Sequence, residues 1–152
     1  MQLSRRTDYA LRALFTLVEH RNGRPVAIAQ IAIRNEIPKR FLEQIMLELK
    51  RCGWVDSLPG RRGGYFLKNC PSEIRIGDGI RHFNGALAPV GCVSATDYRP
   101  CSQEARCRFR WLLLQVRNVV NGVIDSFSLE DVWRGASICE AELHEGMHGE
   151  GI

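Results

Sequence analysis

The chain has 152 residues, of which 45% are hydrophobic and 25% charged, with 21 Lys and Arg against 17 Asp and Glu. That is ample apolar material for a buried core, too much for a disordered chain, and no apolar run approaches the roughly 20 residues of a membrane-spanning helix. Residues 1–75 carry 14 basic and 7 acidic side chains and residues 76–152 carry 7 and 10, an asymmetry that suits a front half meeting a polyanion and a rear half doing something else.

Ser4-Arg5-Arg6-Thr7 is faintly similar to a twin-arginine export signal. Arg12 interrupts the would-be apolar region, Glu19-His20 end it and no small-residue cleavage site follows, so the segment reads as a helix of the mature protein and the protein as cytoplasmic, without a membrane partner. Ala10, Leu14, Leu17 and Val18 recur at helical spacing from Ser4 to His20, with Ser4 as N-cap. Asn22-Gly23-Arg24-Pro25 breaks the chain, and Val26–Arg34 reads as a second helix with Ile28, Ile31 and Ala32 inward. Asn35-Glu36-Ile37 then turns into a third helix, opening at Pro38 and running to about Arg51, with Phe41, Leu42, Ile45 and Leu49 as its inward stripe. Two short helices joined by a tight turn, the second basic at its start, describe a helix-turn-helix. The β-prone runs Trp54–Leu58 and Tyr65–Leu67 flank the turn Pro59-Gly60-Arg61-Arg62-Gly63-Gly64, which gives a hairpin with a basic tip. The expected fold is therefore mainly α with a small β-hairpin wing, a winged helix-turn-helix.

A short helix is expected over Ile76–Phe83, followed by an irregular segment from Gly85 to Arg106. Irregular stretches of that length are uncommon unless they bind something. Phe109, Leu112, Val116, Val119, Val123 and Phe127, widened by Leu113 and Val120, then form an apolar seam on a long helix, the pattern of a dimerisation helix packed against a partner chain, with burial against its own domain as the competing reading. Ser128-x-x-Asp131 opens a further short helix as a capping box.

Six cysteines are present, Cys52, Cys70, Cys92, Cys101, Cys107 and Cys139. A disulfide framework is disfavoured by the large apolar core. Cys52 and Cys70 border elements and read as buried or half-buried thiols. Cys92, Cys101 and Cys107 lie together on the irregular segment, and three thiolates on one loop suit a soft metal centre; iron–sulfur, zinc and three unrelated thiols all remain open from spacing alone. His144-Glu145-Gly146-Met147-His148 matches the zinc-peptidase pattern, but it stands near the end of the chain, Gly146 weakens the helix and no third ligand follows, so metallopeptidase activity through His144 and His148 is only a remote alternative and no enzyme is expected. Gly60–Gly64 lacks the Lys-Ser/Thr ending and the following helix of a nucleotide loop.

Taken in order, Leu3-Ser4 with Tyr9-Ala10-Leu11-Arg12-Ala13-Leu14, then Ile37-Pro38 with Phe41-Leu42-Glu43-Gln44-Ile45, then Gly63-Gly64-Tyr65-Phe66-Leu67, the three loop cysteines and the long helix resemble the small winged-helix transcription regulators typified by IscR, NsrR and RirA. The resemblance covers about residues 1–135. It implies a homodimer on a palindromic double-stranded operator, with an iron–sulfur cluster held by Cys92, Cys101 and Cys107, [4Fe-4S] ahead of [2Fe-2S]. Three departures stand out: Arg110 occupies the place of a histidine ligand in IscR-like members, eight residues separate the first two cysteines, and Pro59 replaces an arginine before Gly60, leaving minor-groove contact to Arg61 or Arg62. Asp8 matches a position from which some NsrR-like members supply a fourth ligand to the partner subunit, with Glu104 as the fallback.

The expected division is a DNA-binding domain over 1–75, a cluster-binding loop and dimerisation helix over 76–135, and a flexible tail over 136–152. Lys39, Arg40, Glu43 and Gln44 are placed nearest base edges, and Arg5, Arg6 and Arg51 at phosphates. The expected function is a repressor sensing iron, nitric oxide or redox state, and the alternative is a cluster-free thiol-based redox sensor on the same scaffold.

Overall fold

The computed structural model describes residues 2–85 and 87–142. Ser4 opens the first helix as expected: its Oγ accepts the Thr7 N–H at 3.2 Å, satisfying one of the free donors of the first turn. Helix α1 (Arg5–Glu19) buries Ala10, Ala13, Leu14, Leu17 and Val18, a stripe at three- and four-residue intervals. Helix α2 (Ile28–Arg34) is shorter than its periodicity suggested, because Val26 is taken by a strand-like pairing with Tyr65, two backbone hydrogen bonds of 2.8 Å. Glu36 turns the chain at φ +54, dropping Ile37 into the core.

Pro38 is the N-cap of helix α3 (Lys39–Arg51) rather than its first residue, and its carbonyl accepts the N–H groups of Phe41 and Leu42 at 2.9 and 3.0 Å. The buried stripe of α3 is Leu42, Ile45, Met46 and Leu49. Phe41, expected inward, is 42% exposed and packs edge-on against Tyr9 instead. Met46 takes its place: both rows cover an equal arc of the helix, and the core lies about 40° further round, on the Met46 side.

Strands β1 (Val55–Leu58) and β2 (Gly64–Leu67) pair antiparallel, with Val55 opposite Leu67 and Leu58 opposite Gly64. Gly60 holds the tip at φ +104, a conformation that favours glycine. Gly64 serves closeness instead: a Cβ there would lie 2.4 Å from the Val26 carbonyl oxygen. Helix α4 (Ile76–Asn84) is tied back to α1 by the Ser4 N–H, which donates to Asn84 Oδ1 at 2.7 Å.

Residues 87–109 are anchored by buried Leu87 and Val93 and contain two 3-10 turns, Gly91–Val93 and Glu104–Arg106. Helix α5 (Arg110–Ser126) packs on α4, with Arg81 bridging Asp78 and Asp125 at 2.8 and 2.6 Å. Ser128 and Asp131 then form the expected capping box, the Asp131 N–H donating to Ser128 Oγ at 3.1 Å and the Ser128 N–H to Asp131 Oδ2 at 2.8 Å. Helix α6 (Leu129–Glu142) is longer than the short helix expected and reaches into the segment read as tail. It returns to α1: Leu129 is buried in the same core, and the Arg75–Ser128 bridge crosses the division placed after residue 75. The architecture is a winged helix-turn-helix extended by a three-helix rear. No helix among the described residues is long and apolar enough to cross a membrane.

Candidate nucleic-acid interface and cysteine loop

The outward face of α3 presents Lys39, Arg40 and Gln44 exposed, with Glu43 half-buried beside them and Arg51 exposed in the last turn. The first turn of α3 carries two cations and no acidic residue. Two positive charges at the positive end of a helix repel it and one another, so an approaching polyanion relieves an electrostatic cost built into the free protein. Lys50 fixes the far end of α3 to the wing, donating to Ser57 Oγ at 2.7 Å and pairing with Asp56 at 3.1 Å. The Ser57 backbone N–H and then Lys50 hold the Asp56 carboxyl below its ordinary range.

Arg5 is exposed at the start of α1. Arg6 is not free: its guanidinium pairs with Glu48 of α3 and lies 5.8 Å over the Phe83 ring. Its charge is spent holding α1, α3 and α4 together rather than presented outward. At the wing tip Arg61 and Arg62 are exposed and line, with Arg24 and Gln30, a cleft of about 290 Å³ between the wing and the segment before α2. Arg24 sits in a stretch that reads only as a chain break. The sequence signal for its placement is Gly64, whose missing side chain lets Val26 pair with β2.

The three loop cysteines are free thiols. Cys92 lies half-buried in the Gly91–Val93 turn, Cys101 is exposed, and Cys107 is half-buried at the end of the Glu104–Arg106 turn, three residues before α5 begins. They share one connected segment, yet among the described residues no three His, Cys, Asp or Glu side chains are gathered closely enough to hold a metal ion. Cys70, expected buried or half-buried, is exposed, because it lies outside the core at the end of the hairpin with Ser72 Oγ 3.0 Å from its sulfur. Cys52 is half-buried near His82, and burial, then Glu48, pushes its thiol up.

Both candidate carboxylates for a fourth ligand are engaged. Arg12 holds both oxygens of Asp8, at 3.0 and 2.8 Å. Glu104 accepts from the Tyr98 hydroxyl at 2.6 Å and from Arg110 Nε at 2.9 Å. The Tyr98 hydroxyl and the Arg110 charge keep the Glu104 carboxyl below its usual range, and the same bond raises Tyr98. Arg110, the residue in place of a histidine, therefore organises the loop through a carboxylate. Arg117 adds a second fastening from α5, donating to the Val93 carbonyl at 2.7 Å.

Along α5, Leu113, Leu114, Arg117, Val120 and Ile124 are half-buried, so Leu113 and Val120, expected to widen the seam, turn towards the protomer, whereas the rest of the seam is exposed: Phe109 70%, Leu112 45%, Val116 40%, Val119 65%, Val123 54% and Phe127 45%. A continuous apolar row left in water opposite the half-buried face of the helix marks a surface for association. His144 and His148 lie outside the described residues.

Residues 3–135 match the family model Rrf2, described as an iron-dependent transcriptional regulator. The chain is 40% identical over 136 residues to an rrf2-like HTH-type transcriptional regulator of Rhodobacter capsulatus, covering 86% of this chain and 91% of that one. Among solved structures it is similar to CymR, titled the global cysteine regulator of B. subtilis, with TM-score 0.72 and 29% identity over 88% of this chain and 97% of that one. It is also similar to the IscR of T. potens, with TM-score 0.68 and 26% identity over 99% and 94% of the two chains.

Proposed function

Because the chain belongs to the Rrf2 family, whose members are DNA-binding transcriptional regulators and not enzymes, we propose that it acts as a homodimeric repressor that grips a palindromic operator and is switched by its cysteine loop. The observation that carries this reading is the outward face of α3, where exposed Lys39, Arg40 and Gln44 stand at a helix start whose first turn holds no acidic residue, with Glu43 half-buried one turn on. Helix α3 enters the major groove, where Gln44 is suited to adenine and Glu43 to cytosine. Arg5, Arg51, Arg61 and Arg62 meet the backbone, and Arg6 acts by steadying α3 through Glu48. The exposed α5 rows of two copies cover one another, placing the two α3 helices about one turn of DNA, roughly 34 Å, apart.

The donor set fits an iron–sulfur cluster in kind: Cys92, Cys101 and Cys107 are free, soft ligands on one segment fastened to α5 at both Arg110 and Arg117. These three residues would hold it, and Asp8 of a second copy or Glu104 would join only by leaving its arginine. The group would supply a bond network sensitive to iron supply, nitric oxide and oxidation. What the chain itself contributes is the attachment of the loop to the helix that spaces the two DNA-binding units. A coupling of about 2–3 kcal/mol between loop and operator shifts affinity roughly 30- to 150-fold.

A second reading, a cluster-free thiol sensor, is favoured by one observation: among the described residues the loop thiols are not gathered with any others into a set of three ligating side chains. The similarity to a cysteine regulator agrees with it. Anaerobic purification from iron-replete cells, with iron and sulfide counts, a visible spectrum and operator affinity, separates the two. A coloured protein that loses both colour and switching in Cys101→Ala supports the cluster. A colourless protein whose affinity changes with thiol oxidation supports the second reading, and a colourless protein insensitive to both ends the sensing proposal.

A further inference from the structure

The wing does not stand alone. Val26 pairs with Tyr65 through reciprocal 2.8 Å backbone hydrogen bonds, so the segment before α2 runs as a third edge beside β2. The approach is possible because Gly64 has no side chain: its Cβ would meet the Val26 oxygen at 2.4 Å and the Val26 carbonyl carbon at 2.5 Å. This edge carries Arg24, two residues before Val26, to the wing tip, where it shares a cleft of about 290 Å³ with Arg61, Arg62 and Gln30. None of the three arginines is ion-paired among the described residues, and no acidic residue lines the cleft. Gln30 has its oxygen turned to the Ala27 N–H at 3.3 Å, so what its amide has left to offer is its NH2 group.

Every uncommitted side-chain polar group around the cleft is thus a donor. A guanine edge or an A·T minor groove offers acceptors as well, but both are neutral, whereas a phosphodiester offers acceptors together with the negative charge that three unpaired cations call for. Three like charges held side by side without a counter-charge also repel one another, and an anion removes that repulsion. We infer that Arg24, Arg61 and Arg62, with Gln30, form a phosphodiester seat: a backbone-binding site apart from α3 that grips one nucleic-acid phosphate per subunit and in which Arg24 is a full partner of the wing. The inference rests on the DNA-binding reading above and adds to it a residue outside both the recognition helix and the hairpin.

The test uses the full-length protein and compares wild type, Arg24→Ala, the pair Arg61→Ala/Arg62→Ala and the triple variant on the selected operator and on an unrelated duplex between 50 and 300 mM salt. Arg24 is exposed, so its variant keeps the wild-type melting temperature. One lost phosphate lowers the slope of log K against log salt by about 0.9, which is about 1.8 for a dimer, so the affinity lost relative to wild type grows roughly 25-fold as salt falls from 300 to 50 mM. The expected result for Arg24→Ala is that loss on both duplexes alike, with the specificity ratio unchanged. Adding Arg24→Ala to the wing pair costs much less than it costs alone, since a shared phosphate is already released. A wild-type slope and affinity in Arg24→Ala overturn the seat while leaving the regulator reading intact. A loss confined to the operator at unchanged slope also overturns it, in favour of base reading. A wild-type protein that binds neither duplex at low salt fails the regulator reading itself, and the seat with it.

Discussion

Val119 sits mid-way along the α5 seam and is 65% exposed. Full burial of a valine contributes about 1.5 kcal/mol, so covering the remaining two thirds contributes roughly 1 kcal/mol per protomer and about 2 kcal/mol for a symmetric pair. Val119→Asp forfeits that and asks two like carboxylates to lose water near one another, which adds at least ~1–3 kcal/mol. The dimer dissociation constant is therefore expected to rise by at least about 100-fold, since each 1.4 kcal/mol is tenfold. Sedimentation equilibrium over a micromolar range reads this directly, and circular dichroism shows that the outward substitution leaves the protomer folded. Operator binding falls in step, because a single subunit meets one half-site. A Val119→Asp protein that sediments as a dimer with a dissociation constant within threefold of wild type would refute the assignment of this face.

Two further outcomes are expected of the fold that presents the site. Glu130 is buried between Arg21 and Arg134, and Arg21 first, then Arg134, holds its carboxyl below the usual range. Its folded pKa is depressed, so its stabilising contribution is present above the unfolded carboxylate value of about 4.3 and is lost as pH falls through the folded pKa. The stability deficit of Glu130→Gln, read by urea titration, is accordingly largest near neutral pH and shrinks in acid; a deficit that grows in acid contradicts the pairing. Gly64→Ala forces the Val26 edge away from β2 and loses two backbone hydrogen bonds, about 1 kcal/mol each, so it destabilises by roughly 2 kcal/mol; chemical denaturation showing less than about 0.5 kcal/mol would mean that the edge yields without cost.

Local signals were legible in the sequence because their physics is local. Ser4 and Ser128-x-x-Asp131 cap the helices they were expected to cap, and the apolar rows of α1 and α5 fall where helical spacing puts them. The α5 row is informative because it obeys the period and is nevertheless exposed. Illegible parts depend on partners far away in the chain. Val26 looked helical until Tyr65, 39 positions later, claimed its backbone. Arg6 looked like a free cation because Glu48 is 42 positions away. Phe41 looked inward because hydrophobicity alone does not tell a core position from one that shields Tyr9. In the cysteine loop, spacing announced the thiols but not the bonds from Tyr98 and Arg110 that occupy Glu104.

Those long-range contacts also connect the loop to the DNA face without a gap. Arg110 and Arg117 fasten the loop to α5 through Glu104 and the Val93 carbonyl. Helix α5 is joined to α4 by Asp125, which pairs with Arg81 and lies where a Cβ on Gly77 would stand 1.8 Å from its Oδ1. Asn84, at the end of α4, holds the Ser4 N–H at the start of α1, and Arg6 of that first turn holds Glu48 on α3. Each step is a hydrogen bond or ion pair, those at Asn84 and Asp125 lying at the surface. Spatial continuity is not itself coupling; coupling needs an element with two arrangements that both sites bias. In the dimer proposed above α5 is the candidate for such an element, since it carries the loop at Arg110 and Arg117 and also the exposed row that a second copy would cover. A change that releases Glu104 or the Val93 carbonyl is then expected to alter the seating of α5 and, through it, the spacing of the two α3 helices.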